Sequence, residues 1–193
     1  MNNLIPITQP ARIGAPVKTR AASAASRRHT ALIALWRTHH AEPVQLQRTR
    51  EGRDLSRARY RRAEEFMLSL APEAPGDGPD FLYNAGIVAQ LALSSHLLDV
   101  GFPDTWCARY IGLHVARSLA YANATGFGHD CAETKRLADV LTPYWKWNRR
   151  SLADAPRPND GGFSPDNIRA LSRALLDHVG QVTGHGQARR RMT

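Results

Sequence analysis

The sequence predicts an all-α protein, a helical bundle of about six helices with a disordered basic N-terminal arm and a short basic C-terminal tail. Three observations carry that prediction. No stretch alternates β-branched or aromatic residues with polar ones over the length of a strand. Apolar residues instead recur at spacings of three and four in one segment after another. Short runs bearing Pro and Gly separate those segments, and several segments open on residues that cap helices.

Taken in order, Pro6, Pro10, Gly14 and Pro16 deny the start any regular structure, so residues 1–22 read as the arm. From about Ser23 to His40, Leu32, Leu35 and Trp36 share one side of a short amphipathic helix that Glu42 and Pro43 close. A longer helix is expected from about Val44 to Leu70, with Leu55, Ala63, Phe66, Met67 and Leu70 inward. Gly52 weakens its middle by roughly 1 kcal/mol relative to alanine. Residues 71–79, rich in Pro and Gly, form the hinge loop of a single domain spanning 23–184.

Asp80 is placed to cap a helix ending near Asp99, so apolar all round that it belongs at the centre. Gly101 ends it, and Pro103 opens a helix from about Asp104 to Asn123. On that helix Gly112, Ala116 and Ala120 make a seam of small residues beside Cys107, Ile111, Val115 and Leu119. After the turn Gly126-Phe127-Gly128, a helix is expected from Asp130 to Leu141, broken by Thr142-Pro143 with a further turn through Asn148. Ser164, Pro165 and Asp166 read as cap, first-turn proline and N-terminal acid of a last helix reaching about Val179, stopped by Gly180 and Gly184. Residues 185–193 form the basic tail.

The 193 residues fit one domain plus tails. Two cysteines, Cys107 and Cys131, exclude a disulfide-dense scaffold and any four-cysteine zinc module. A reducing, cytoplasmic setting is the expectation. The apolar run Gly86–Leu93 is interrupted by Gln90, so no membrane span is expected. Arg and Lys total 26 against 17 acids, a formal charge of +9. Residues 1–75 hold 13 basic against 6 acidic side chains, and the remainder 13 against 11, so the front is the cationic part. An acid-free, Arg-bearing start also matches a mitochondrial transit peptide. The lysines are only Lys18, Lys135 and Lys146, a bias to arginine that fits a GC-rich bacterial genome better.

Arg50, Arg53, Arg57 and Arg61 recur at spacings of three, four and four, which lines them along one helix face. Such a row suits phosphate oxygens, each guanidinium being a planar fork. It also suits a solvated face of Arg50–Asp54, Asp54–Arg57 and Arg61–Glu65 pairs. Between Tyr144 and Arg150, aromatic and cationic side chains interleave. An α-helical wheel puts Leu141, Tyr144, Trp145 and Asn148 together, making Trp145 the core residue and leaving Trp147, with Arg149 and Arg150, to stack on and pair with nucleic acid. Arg189, Arg190 and Arg191 add a mobile cationic end.

His114, His129, Cys107 and Cys131 have no familiar zinc spacing, and no Glu-x-x-His for a di-iron bundle occurs, so no cofactor and no metal are expected. His114, the pair His129-Asp130 and Asp177 resemble, over those four residues, the His, His-Asp, Asp metal ligands of HD-domain phosphohydrolases, an all-helical family. The resemblance implies a metal-dependent phosphohydrolase using His114, His129 and Asp130. The spacing of fifteen from His114 to His129 is short for that family, and Asp130 also serves as a helix cap. Tyr110, His114, Arg117 and Tyr121 form a polar-aromatic stripe on the expected 104–123 helix. No nucleophile elbow or phosphate-binding glycine loop occurs. The leading expectation is a non-enzymatic basic protein contacting nucleic acid with limited sequence specificity. Its rival is a protein-interaction or assembly module, a homo-oligomer or a partner of another protein, pairing through the arginine row and the Gly112 seam.

Overall fold

The computed structural model describes residues 18–71, 78–147 and 159–186. Among them the chain is all-helical, with seven α-helices and no strand: α1 (Lys18–Thr38), α2 (Arg50–Met67), α3 (Gly78–Val100), α4 (Asp104–Tyr110), α5 (Val115–Ala124), α6 (Ala132–Val140) and α7 (Pro165–Thr183). The outer part of the expected arm, residues 1–17, most of the hinge loop, Arg149 and Arg150, and residues 187–193 of the tail lie outside the described residues. Lys18–Ala22, assigned from sequence to the arm, belong to α1.

The central helix is α3, which packs against α2, α5 and α7. Ala85, Val88, Ala92 and Leu93 on it are fully buried, so its apolar surface is matched on every side by neighbouring helices. Asp80–Val100 is long and apolar enough to cross a membrane, and 72% of its most apolar window is buried inside the bundle. At its end Asp99 brings a carboxylate inside, 3% exposed, where Arg48 reaches it at 3.2 Å and Arg53 at 3.6 Å.

α2 begins six residues later than the sequence indicates. Residues 41–49 run without regular structure over the end of α3, held by Gln47 N–H donating to the Gly101 carbonyl and by the Trp106 indole donating to the Glu42 carbonyl at 2.8 Å. Thr49 then caps α2, its hydroxyl accepting from the Gly52 amide at 3.0 Å. Gly52 therefore sits in the first turn rather than mid-helix. A Cβ there would come within 3.3 Å of the Leu98 carbonyl, so its bareness lets α2 lie close on α3.

The expected helix over 104–123 is two helices. Gly112 has φ +59°, a left-handed conformation, and the four residues between α4 and α5 redirect the chain. This extra break is why there are seven helices rather than about six, and it dissolves the seam, since Gly112 no longer shares a helix with Ala116 and Ala120. The caps at α7 follow the sequence reading: the Ser164 hydroxyl accepts from the Asn167 amide, with Pro165 in the first turn. Gly180 does not stop α7. It lies inside it, where Tyr60 of α2 packs against its bare backbone, and the helix ends at Gly184 with φ +76°.

Candidate functional site

Helical spacing on α2 delivers the arginine row intact. Arg50, Arg53, Arg57 and Arg61 are all exposed, while Ser56, Tyr60, Ala63 and Met67 point the other way into the core. Of the expected pairs only Asp54–Arg57 forms, at 3.1 Å. Glu65 is taken by Arg62 at 2.6 Å instead of Arg61, and Arg50 and Arg61 enter no ion pair among the described residues. Arg53 leans to the buried Asp99, so it is anchored at one end and exposed at the other.

The chain's far end completes a cleft against this row. Gly184 turns the backbone back under α7, with the Gly186 amide donating to the Gly180 carbonyl at 3.2 Å. His185 is thereby tucked beneath α2, 9% exposed, its Nε2 2.7 Å from the Ser56 hydroxyl and its ring 5.8 Å from that of Tyr60. The result is a cleft of about 570 Å³ in which Arg53, Arg57 and Arg61 from α2 and Arg173 from α7 surround His185. Glu64 and Glu65 also line it. A second hollow of about 550 Å³, lined by Arg48, Arg50, Arg53 and Arg57, shares two of those arginines, so the cationic surface is continuous along α2. Burial holds the His185 imidazole below its ordinary pKa, and Arg57, Arg53 and Arg61 push the same way against the upward pull of Asp99.

His185 and Arg173 are not legible in the sequence as site residues. The sequence starts the tail at 185, yet His185 and Gly186 pack into the domain. Only the Gly184 stop hints at a reversal, and the partner it brings His185 to lies 129 residues away.

The aromatic cluster is reversed. Trp147 is 1% exposed, its indole N–H donating to the Val140 carbonyl at 3.2 Å, while Trp145 is 39% exposed with its ring edge-on to His114. The reason is geometric: Tyr144–Trp147 is a 3₁₀ turn, in which residues three apart eclipse. Trp147 therefore lines up with the half-buried Tyr144 rather than with Trp145, and its burial leaves it unavailable for stacking.

The polar-aromatic stripe is divided by the break at Gly112. Arg117 donates to the Tyr110 carbonyl at 2.6 Å, Tyr121 is fully buried, and His114 lies in the turn before α5. The four residues of the HD-like pattern are not gathered either. The His129 ring stands 5.2 Å from that of His178 with Nε2 on the Thr134 hydroxyl, Asp130 pairs with Lys135 at the surface, and Asp177 pairs with Arg173 at 3.8 Å. No group of three or more His, Cys, Asp or Glu that could hold a metal occurs among the described residues. Burial raises the Cys107 thiol to about 12, which keeps it protonated and unreactive.

No family model, no curated protein and no solved structure matches the chain.

Proposed function

We propose that the chain is a non-enzymatic protein that contacts the phosphate backbone of nucleic acid along α2, with limited sequence specificity. The observation that supports this reading is the continuous row of exposed arginines that meets Arg173 and His185 in an open cleft. From Arg50 to Arg61 the row spans about 16 Å at 1.5 Å per residue. That length corresponds to about five phosphates of one strand at 3.4 Å along a duplex. Bidentate guanidinium–phosphate pairing supplies affinity and counterion release, and neither depends on base identity.

Limited specificity follows from what the helices do elsewhere. The other helix lining the cleft, α7, spends Ile168, Leu175, Leu176 and Val179 on the core. With Trp147 buried, the tryptophan expected to stack is unavailable, and the exposed Trp145 stands edge-on to His114 outside the arginine cleft, which favours duplex or backbone contact along α2 over a single-strand stacking platform. Replacing Arg57 and Arg61 together by Gln tests the reading. Duplex affinity should fall for unrelated sequences alike, with thermal stability retained.

A second reading, the interaction or assembly module, draws on a groove of about 490 Å³ between α2 and α4, where Phe66, Leu91, Ile111 and the half-exposed Leu113 meet. Sedimentation over a concentration series distinguishes it: a self-associating chain gains mass with concentration in the absence of nucleic acid.

A further inference from the structure

We propose that the chain carries a second contact surface, separate from the α2 row, with which it docks on an anionic lipid bilayer: Leu113 and Trp145 enter the interface while Arg109, Arg117 and Lys146 meet the headgroups. Two turns build it. The bend between α4 and α5 carries Leu113, 44% exposed, and the 3₁₀ turn Tyr144–Trp147 carries Trp145, 39% exposed. The rings of His114 and Trp145 stand 6.0 Å apart, edge-on, so the two turns lie side by side. Leu113 and Tyr144 also line the groove of about 490 Å³, together with Phe66, Ile87 and Leu91. The apolar surface therefore continues from the turns into the groove.

The cations at these turns are unspent. Arg109, Arg117 and Lys146 enter no ion pair among the described residues. The Arg109 guanidinium lies over the Tyr110 ring at 5.2 Å, and Arg117 donates to the Tyr110 carbonyl at 2.6 Å, which ties both to the same bend. Against the three stands the Glu42 carboxylate, which acts on the Tyr110 hydroxyl, so positive charge remains in excess. On the groove's rim Arg59 and Arg62 are by contrast taken up by Asp104 and Glu65, at 3.2 and 2.6 Å. The free charge is therefore concentrated beside Leu113 and Trp145.

An anionic bilayer uses each of these parts. An exposed leucine gains nothing from a phosphate backbone, whereas at a bilayer it leaves water for the boundary of the acyl chains. The Trp145 indole N–H has no partner among the described residues, and an amphipathic ring with a free donor is the side chain that belongs between headgroups and chains. Arginine and lysine stems lie along apolar surface while their charged ends stay at headgroup level, where an anionic leaflet attracts them. Two apolar anchors and a few cations make a reversible attachment that needs both terms at once.

The test uses the full chain and vesicles of phosphatidylcholine, alone or mixed with phosphatidylserine, with brominated acyl chains in one set. Trp36, Trp106 and Trp147 are at most 8% exposed, so quenching of tryptophan emission by the bromines reports Trp145 entering the interface. Mixed vesicles should bind the unmodified chain and quench it, a result that does not depend on any variant folding, and phosphatidylcholine alone should bind more weakly. Arg109→Gln and Lys146→Gln should each weaken binding to mixed vesicles by about fivefold, the weight of one cation at an anionic leaflet. Leu113→Ser should weaken binding at both compositions. Duplex affinity should be the same for Leu113→Ser and Lys146→Gln as for the parent chain, which separates this surface from the α2 row. Absence of binding to mixed vesicles overturns the proposal. Binding without quenching overturns it too, since a chain held to the vesicle by the α2 row alone behaves that way. Loss of duplex affinity in Lys146→Gln, with Trp145 unquenched by vesicles, overturns it in favour of a nucleic-acid contact at the same turns.

Discussion

The hydroxyl of Ser56 lies 2.7 Å from Nε2 of His185, joining the middle of α2 to the last residues of the fold across 129 positions of chain. Ser56 is fully buried and also donates to the Ser95 carbonyl at 2.7 Å, so one small side chain ties α2, α3 and the turn after α7 together. Ser56→Ala should leave a buried imidazole nitrogen unsatisfied and destabilise the fold by about 1 to 3 kcal/mol. Urea unfolding measures it. A midpoint unchanged from the parent chain would show that the contact contributes nothing.

Stability should depend on pH through the buried imidazoles. Burial, reinforced by His178, lowers His96 to about 4, and His39, His114, His129 and His185 are lowered in the same direction. A histidine whose folded pKa lies below its unfolded value stabilises the fold in its neutral form. The contribution is complete above the unfolded value near 6.5 and is lost as pH falls toward 4. For His96 the full loss is on the order of 3 kcal/mol. Urea unfolding at pH 7 and pH 4.5 should show a larger drop for the parent chain than for His96→Gln. Equal drops would mean that His96 titrates normally.

The exchanged roles of the two tryptophans give a direct contrast. Trp147→Ala removes a fully buried indole and should cost about 3 to 5 kcal/mol. Trp145→Ala, at the surface, should change stability by no more than about 0.5 kcal/mol. Thermal melts of both variants check this, and a larger loss at Trp145 than at Trp147 would restore the helical-wheel assignment.

These cases show what is legible in the sequence and what is not. Ser164, Pro165 and Asp166 announce α7 because a cap acts over one turn and needs no distant partner. The centrality of α3 is legible because a helix apolar on every side has to be enclosed. The row Arg50–Arg61 is legible for the same local reason, its spacing being that of the helix. The break at Gly112 is not, since a glycine in a helical pattern serves equally as a seam or a turn. The placement of Trp147 escapes a wheel of 3.6 residues per turn because the chain adopts a 3₁₀ turn there. His185 escapes it too, because its burial is created by Ser56 and Tyr60, far off in sequence.

Gly112→Ala should strain the left-handed turn between α4 and α5 and destabilise the fold by about 1 to 2 kcal/mol, because a Cβ there disfavours the backbone even though space is open around it. Gly112→Asn should recover part of the loss, since asparagine tolerates that conformation. Two variants of equal stability would place the cost elsewhere than in the backbone.

The central claim, that the α2 row meets phosphates, is tested most directly by the salt dependence of duplex binding. Anisotropy titrations of the full chain against an arbitrary-sequence duplex across a salt series should give log affinity falling linearly with log salt. The slope should be less steep by about 0.9 for each phosphate that Arg57→Gln or Arg61→Gln leaves without its guanidinium. Absence of binding at low salt, or a slope that neither substitution changes, would contradict the account.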